Sequence, residues 1–157
     1  MKMNWLLLLL VCCAFTPADL EKEYCNARFH MCVRYPANFK GQGESYNGDG
    51  QVFISDDKAA KITLSGGLVL DDITNLEKEY NRSAKGLTSV YKVKKSNWYV
   101  VSGIDKDGNI VYEKTKQKTI NHRGSENTEV FQTCMITYPP SQKDKYASYC
   151  AYIANNW

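Results

Sequence analysis

The chain has 157 residues, of which 43% are apolar, 24% charged and 12% aromatic, with 10 Gly, only 4 Pro and a formal net charge of +3. That composition excludes a collagen-like, low-complexity or intrinsically disordered chain, because the apolar and aromatic content offsets the entropy of ordering one compact core. Twenty basic against seventeen acidic residues is too small an excess to announce a phosphate-backbone ligand or an anionic membrane surface.

The first residues differ from the rest. Lys2 is a positive start, Trp5 to Val11 is an uninterrupted apolar run, and Cys12, Cys13 and Ala14 follow. Even extended through Phe15 the run is about 11 residues, well short of the ~20 that a spanning helix needs. Residues 1–18 therefore read as a secretory signal peptide, with small residues Thr16 and Ala18 placing cleavage after Ala18 and Ala14 as the second choice. A lipoprotein reading through Cys12 or Cys13 stays open, although Leu10-Val11 lacks the small residue usual before a lipidated cysteine. The expectation is an exported protein, periplasmic or extracellular, that meets a membrane only through such a lipid. Loss of residues 1–18 removes Lys2 and no acid, which leaves a single domain over 19–157 at +2.

Cys25, Cys32, Cys134 and Cys150 remain, an even number that reads as two disulfides in an oxidising compartment. A four-thiolate zinc site is disfavoured because no C-x₂-C spacing occurs there. Three pairings are open. On one straight strand Cys25 and Cys32 would lie roughly 23 Å apart at ~3.3 Å per residue, so they pair only if the chain reverses between them. A turn centred on Arg28-Phe29 would set 25 opposite 32 and 26 opposite 31.

In chain order, Phe29 to Tyr35 alternates with Phe29, Met31, Val33 and Tyr35 on one face, and Pro36 ends that strand. Residues 40–50 carry four glycines and read as a loop. Gln51–Ser55 and Ala60–Ser65 form a hairpin across Asp56-Asp57-Lys58, and Gly66-Gly67 is expected to break the chain. Asp71 or Asp72 is placed to cap a helix whose Ile73, Leu76, Tyr80 and Ala84 recur at helical spacing before Gly86. Strands follow at Val90–Lys94, Trp98–Ile104 and Ile110–Lys118, the last two joined by the turn-rich Asp105 to Asn109. After a polar loop over Asn121–Asn127, Glu129–Tyr138 alternates until Pro139-Pro140. From about Gln142, Tyr146, Tyr149, Cys150, Ile153 and Trp157 form one apolar helical stripe. Cys134 shares its strand face with Val130, Ile136 and Tyr138, so a Cys134–Cys150 bond from strand to covering helix joins Cys25–Cys32 as the favoured pairing. Strands in runs punctuated by two helices predict an α+β domain with a mainly antiparallel sheet packed by a central and a C-terminal helix.

Arg28-Phe29-x-x-Cys32-Val33-x-Tyr35-Pro36, Asn47-Gly48-Asp49-Gly50, Trp98 to Gly103 and Tyr138-Pro139 before a helix resemble a group of small exported bacterial proteins without assigned function. At the level of element order the chain is similar, more distantly, to the PsbP-like sandwich, also seen in a Ran-binding import factor. That resemblance implies an antiparallel sheet between helices and a tendency toward protein or small-ligand binding. It supplies no catalytic motif.

Chemistry-bearing positions are few. Ser45 to Asp56 places oxygen side chains at calcium-loop positions 1, 3, 5 and 12 with Gly at 6, but it runs into a strand and lacks the closing Glu. Asp105-x-Asp107-x-Asn109 continues with Ile110 where the Gly belongs and Lys116 where the Glu belongs. Both read as turn chemistry, so no metal or other cofactor is expected. His30 and His122 are the only histidines; without a G-x-S-x-G elbow or a spare thiol, His122 beside Ser125 supports at most a hydrolase-like alternative. Lys92 and Lys94 alternate on one strand, and Lys114, Lys116 and Lys118 on another. If the strands are neighbours, these lysines form a cationic ladder for an anionic ligand or a partner protein at the cell envelope; the plainer role is protection of an exposed strand. The exported address argues against nucleic acid. The sequence thus favours a non-catalytic binding domain.

Overall fold

A computed structural model describes residues 22–70 and 73–157. The signal-peptide reading of residues 1–18 and the caps at Asp71 and Asp72 lie outside the described residues. Nine strands and two helices are seen among the described residues. In chain order they are β1 (Lys22–Asn26), β2 (Met31–Tyr35), β3 (Phe39–Glu44), β4 (Gly50–Ser55), β5 (Lys61–Leu68), α1 (Leu76–Ala84), β6 (Thr88–Lys94), β7 (Trp98–Ile104), β8 (Ile110–His122), β9 (Ser125–Tyr138) and α2 (Lys143–Asn156), with a short 3₁₀ turn at Pro140–Gln142 before α2. Seven strands make one antiparallel sheet in the order β3-β4-β5-β9-β8-β7-β6, and β1-β2 is a separate hairpin. This is the predicted α+β architecture.

The chain reverses between β1 and β2 in the expected register, with Cys25 opposite Cys32 and Asn26 opposite Met31. Asn26 secures the reversal: its side-chain oxygen accepts from Phe29 N at 3.0 Å, while its amide nitrogen donates to Gly48 O at 3.0 Å. Met31, Val33 and Tyr35 are buried as the alternation requires.

Three stretches expected to be irregular are strand. Residues 39–44 pair with β4 despite their glycines, and Gly43, at φ +96°, absorbs the register shift. β5 continues through Gly66-Gly67 because both keep their pairing with Gln132 and Phe131 of β9. The supposed loop at 121–127 is the tight end of a long hairpin, turning through Arg123 (φ 53°) and Gly124 (φ 85°) so that His122 faces Ser125. Positive φ at both central residues suits the twist of a two-residue hairpin. In each case cross-strand pairing overrode local composition.

α1 starts later than predicted: Asn75 caps it by accepting from Lys78 N at 3.0 Å, and Ile73 is left exposed. α1 packs on β7 and β6, covering one end of one sheet face. The opposite face carries α2 and the β1-β2 hairpin. There Phe53, Ile62, Leu64, Cys134 and Ile136 meet Met31 and Val33 from the hairpin and Tyr146, Tyr149, Ile153 and Trp157 from α2. These buried α2 residues are the predicted stripe.

Candidate functional site

Cys25 and Cys32 are disulfide-bonded, whereas Cys134 and Cys150 are separate thiols. The expected Cys134–Cys150 bond is therefore corrected. Helical phase is the reason: Tyr149, Ile153 and Tyr146 hold the centre of the stripe, and Cys150 turns toward the Tyr138 hydroxyl at 3.5 Å. Cys134 lies under Tyr149, and burial pushes its thiol far above the usual range. Among the described residues, Glu23, Cys25 and Cys32 form a close group of metal-capable side chains, but both sulfurs are committed to the disulfide.

The two lysine rows do not join. β7 separates β6 from β8, and the register puts the rows on opposite faces. Lys92 and Lys94 lie on the α1 face, where both approach the Tyr80 ring and Lys94 pairs with Glu77. Lys114, Lys116 and Lys118 lie on the α2 face. Lys114 is buried and donates to the carbonyls of Ile153 (3.3 Å), Ala154 (2.8 Å) and Trp157 (2.5 Å), closing the C-terminal end of α2. Lys116 sits 4.1 Å from the centre of the Trp157 ring. Lys118 is exposed.

A segment the sequence did not connect with the lysine row adds basic residues farther along β8. Gln132, opposite Lys116 on β9, donates to Phe29 O at 2.8 Å and His30 O at 3.0 Å. This ties the Arg28–His30 turn alongside the lysine row. Arg28 Nε then donates to His122 Nε2 at 3.4 Å, at the far end of β8. Burial, then Lys118 and Lys114, pushes the Lys116 ammonium down to about 8. Burial, then Arg28, Arg123 and His30, lowers His122 as well. His122 thus lies against a cation and the Phe29 ring. Among the described residues no hydroxyl or thiol hydrogen-bonds to it, and Ser125 is its cross-strand neighbour.

The two loops weighed for calcium are closed turns. Asp49 accepts from Ser45 Oγ (2.6 Å) and Asn47 Nδ2 (2.8 Å), and Asp105 accepts from the backbone of Asp107 (2.9 Å) and Asn109 (2.8 Å).

The α1 face carries a second feature. α1 covers β6 and β7, so β8, β9 and β5 beside it form the floor of an open polar trough. Ser65, Thr133, Thr115 and Tyr99 stand in register across four strands, and Glu113 lies in the adjacent row between Met135 and Val101. Glu79, Arg82 and Ser83 of α1 form the wall of a cavity of about 330 Å³. Reading each strand for its apolar face passed over this site. Its sequence signal is the Thr, Ser and Glu at odd positions of β5, β8 and β9.

No protein-family profile matches the sequence, and no curated protein does. Among solved structures, the solution structure of cyanobacterial PsbP (CyanoP) from Synechocystis sp. PCC 6803 superimposes with a TM-score of 0.58 at 12% identity, over 85% of this chain and 88% of that one. The fold is PsbP-like. At this identity the likeness concerns the fold alone, so what the PsbP-like sheet binds has to be argued from its own side chains.

Proposed function

We propose that the chain is an exported, non-catalytic binding domain that takes an anionic group, free in the envelope or on a partner protein, along the basic row of β8 formed by Lys116 and Lys118, with Arg28 and His122 at its far end. One observation carries this reading: Lys116 and Lys118 stand on one face of β8, and farther along the strand Arg28 meets His122 at 3.4 Å, with burial and nearby cations lowering both Lys116 and His122. Like charges crowded on a half-buried surface are relieved by an anion, which also restores the lost proton affinity. The Cys25–Cys32 disulfide, the apolar run near the start of the sequence, the resemblance carried by Arg28 to Pro36 and the PsbP-like fold support an exported address. Among the described residues no helix is long and apolar enough to cross a membrane.

Titration with inorganic phosphate at constant ionic strength, followed by NMR, tests the site. Shifts are expected at Lys116, Lys118, Arg28 and His122, together with a rise in the Lys116 pKa. A Lys116→Ala/Lys118→Ala double variant is expected to weaken binding at least about tenfold. Equal binding by the double variant, or no localised shift, sinks the reading.

A further inference from the structure

The polar cavity on the opposite face carries its own uncompensated charge, independently of the basic row. Glu113 uses one carboxylate oxygen, Oε1, for three protein donors: Ser83 Oγ at 2.7 Å, Tyr99 Oη at 2.7 Å and Thr115 Oγ1 at 3.1 Å. Its other oxygen, Oε2, meets no donor among the described residues, and Glu113 belongs to none of their ion pairs. Oε2 is not a sealed orphan either, because Gln142 Oε1 is the one buried side-chain acceptor without a partner among the described residues. Since Glu113 lines the cavity, the free oxygen reaches its open space. Across the floor stands Glu79, only 9% exposed, with Oε2 paired to Arg82 and Oε1 without a protein donor among the described residues. A second hollow of about 180 Å³ continues the cavity along Gly66, Gly67 and Phe131, and the two share Ser65, Glu79, Arg82 and Thr133 as walls.

Two carboxylates facing one already paired guanidinium leave the cavity net negative, which disfavours an anion. A sugar ring is disfavoured too: Tyr99, the aromatic residue that lines the main cavity, is 1% exposed and offers no face for stacking. Among the described residues, Glu79 and Glu113 do not converge with a third ligand as a metal group. What remains complementary is a compact cation with several N–H donors, because carboxylate oxygens and the Ser65 and Thr133 hydroxyls accept in different directions.

We infer that the cavity between α1 and the sheet binds the primary ammonium group of a small amine or of a lysine side chain, with Glu113 and Glu79 as its charged acceptors. The ammonium replaces water at the free oxygens, and the three hydroxyl donors hold Glu113 in place, so little side-chain ordering opposes binding.

Putrescine and N-acetyl-lysine methylamide, titrated separately into the protein and followed by NMR, distinguish a free amine from a lysine side chain. Saturable shifts at Ser65, Ser83, Glu113 and Thr133 with either probe are expected. Glu113→Gln keeps an acceptor for the three hydroxyls while removing the charge, and is expected to weaken binding at least about tenfold. Glu79→Gln, on the other wall, is expected to weaken it in the same direction and serves if Glu113→Gln unfolds. Asp107→Asn, on an exposed turn, controls for general loss of negative charge and is expected to bind as the parent does. Absence of saturable shifts with both probes, or equal binding by a folded glutamine variant and the parent, overturns the inference.

Discussion

Gly66 stands in a strand because nothing larger fits under Phe29. A Cβ built there would come 2.1 Å from Phe29 Cγ and 2.3 Å from Cδ2, whereas one at Gly67 meets nothing within 4 Å. Phe29 is 1% exposed, its ring lies 5.5 Å from His122, and its carbonyl is held by Gln132. The contact therefore positions the Arg28–His30 turn and with it the Arg28 contact to His122. Gly66→Ala is expected to cost about 1–3 kcal/mol by overpacking, and Gly67→Ala to cost less than about 1 kcal/mol. Urea unfolding of the two variants checks the contrast. The glycine pair was visible in the sequence, but its meaning was not. A glycine that breaks a strand and one that admits a ring from a distant hairpin have the same local signature.

At the scale of elements, α2 is ended by a residue on another strand. Lys114 Nζ gathers three carbonyls of the last helical turn, and burial lowers its pKa. Replacement by Met keeps the length, removes the donors and strands those carbonyls. Lys114→Met is expected to lose about 2 kcal/mol, seen as a lower urea midpoint and as faster amide exchange in α2. The helix itself was legible, since Tyr146, Tyr149, Ile153 and Trp157 keep their spacing and are buried. Its rotation was not: placing Cys150 at the edge of the stripe and Cys134 beneath Tyr149 depends on packing several side chains at once. The β8-β9 hairpin shows the same limit, because pairing along both strands outweighs the polar composition of residues 121–127.

For the whole molecule, the two sheet faces differ in charge, and pH separates their contributions. Lys116 titrates at about 8 when folded against about 10.4 when unfolded. The folded state therefore binds fewer protons in that window, and stability is expected to rise as pH increases from about 8 toward 10. Burial raises several tyrosines, among them Tyr24 and Tyr112 to about 12. Their contribution is present below the unfolded value near 10 and is lost as pH rises above it. Asp57, held below the usual carboxylate range by Ser55, the Ala59 amide and Gln142, adds stability that is lost as pH falls through the acid range. Urea midpoints across pH are thus expected to rise from about 8 and peak near 10. Lys116→Met is expected to flatten the rise below the peak without moving the fall above it; a rise that persists unchanged in Lys116→Met assigns it to another group.

The sequence alone determined the alternating strands, the α2 stripe and the α+β class, and made the reversal that sets Cys25 opposite Cys32 the condition of their pairing. All of these rest on short-range periodicity and turn chemistry, which a chain carries wherever it goes. Only the tertiary structure decided that β7 separates the two lysine rows and sends them to opposite faces, that Arg28 meets His122, and that Ser83 of α1 donates to Glu113 of β8. Strand order and helix rotation are set by the joint packing of residues far apart in the chain, and no single segment encodes them.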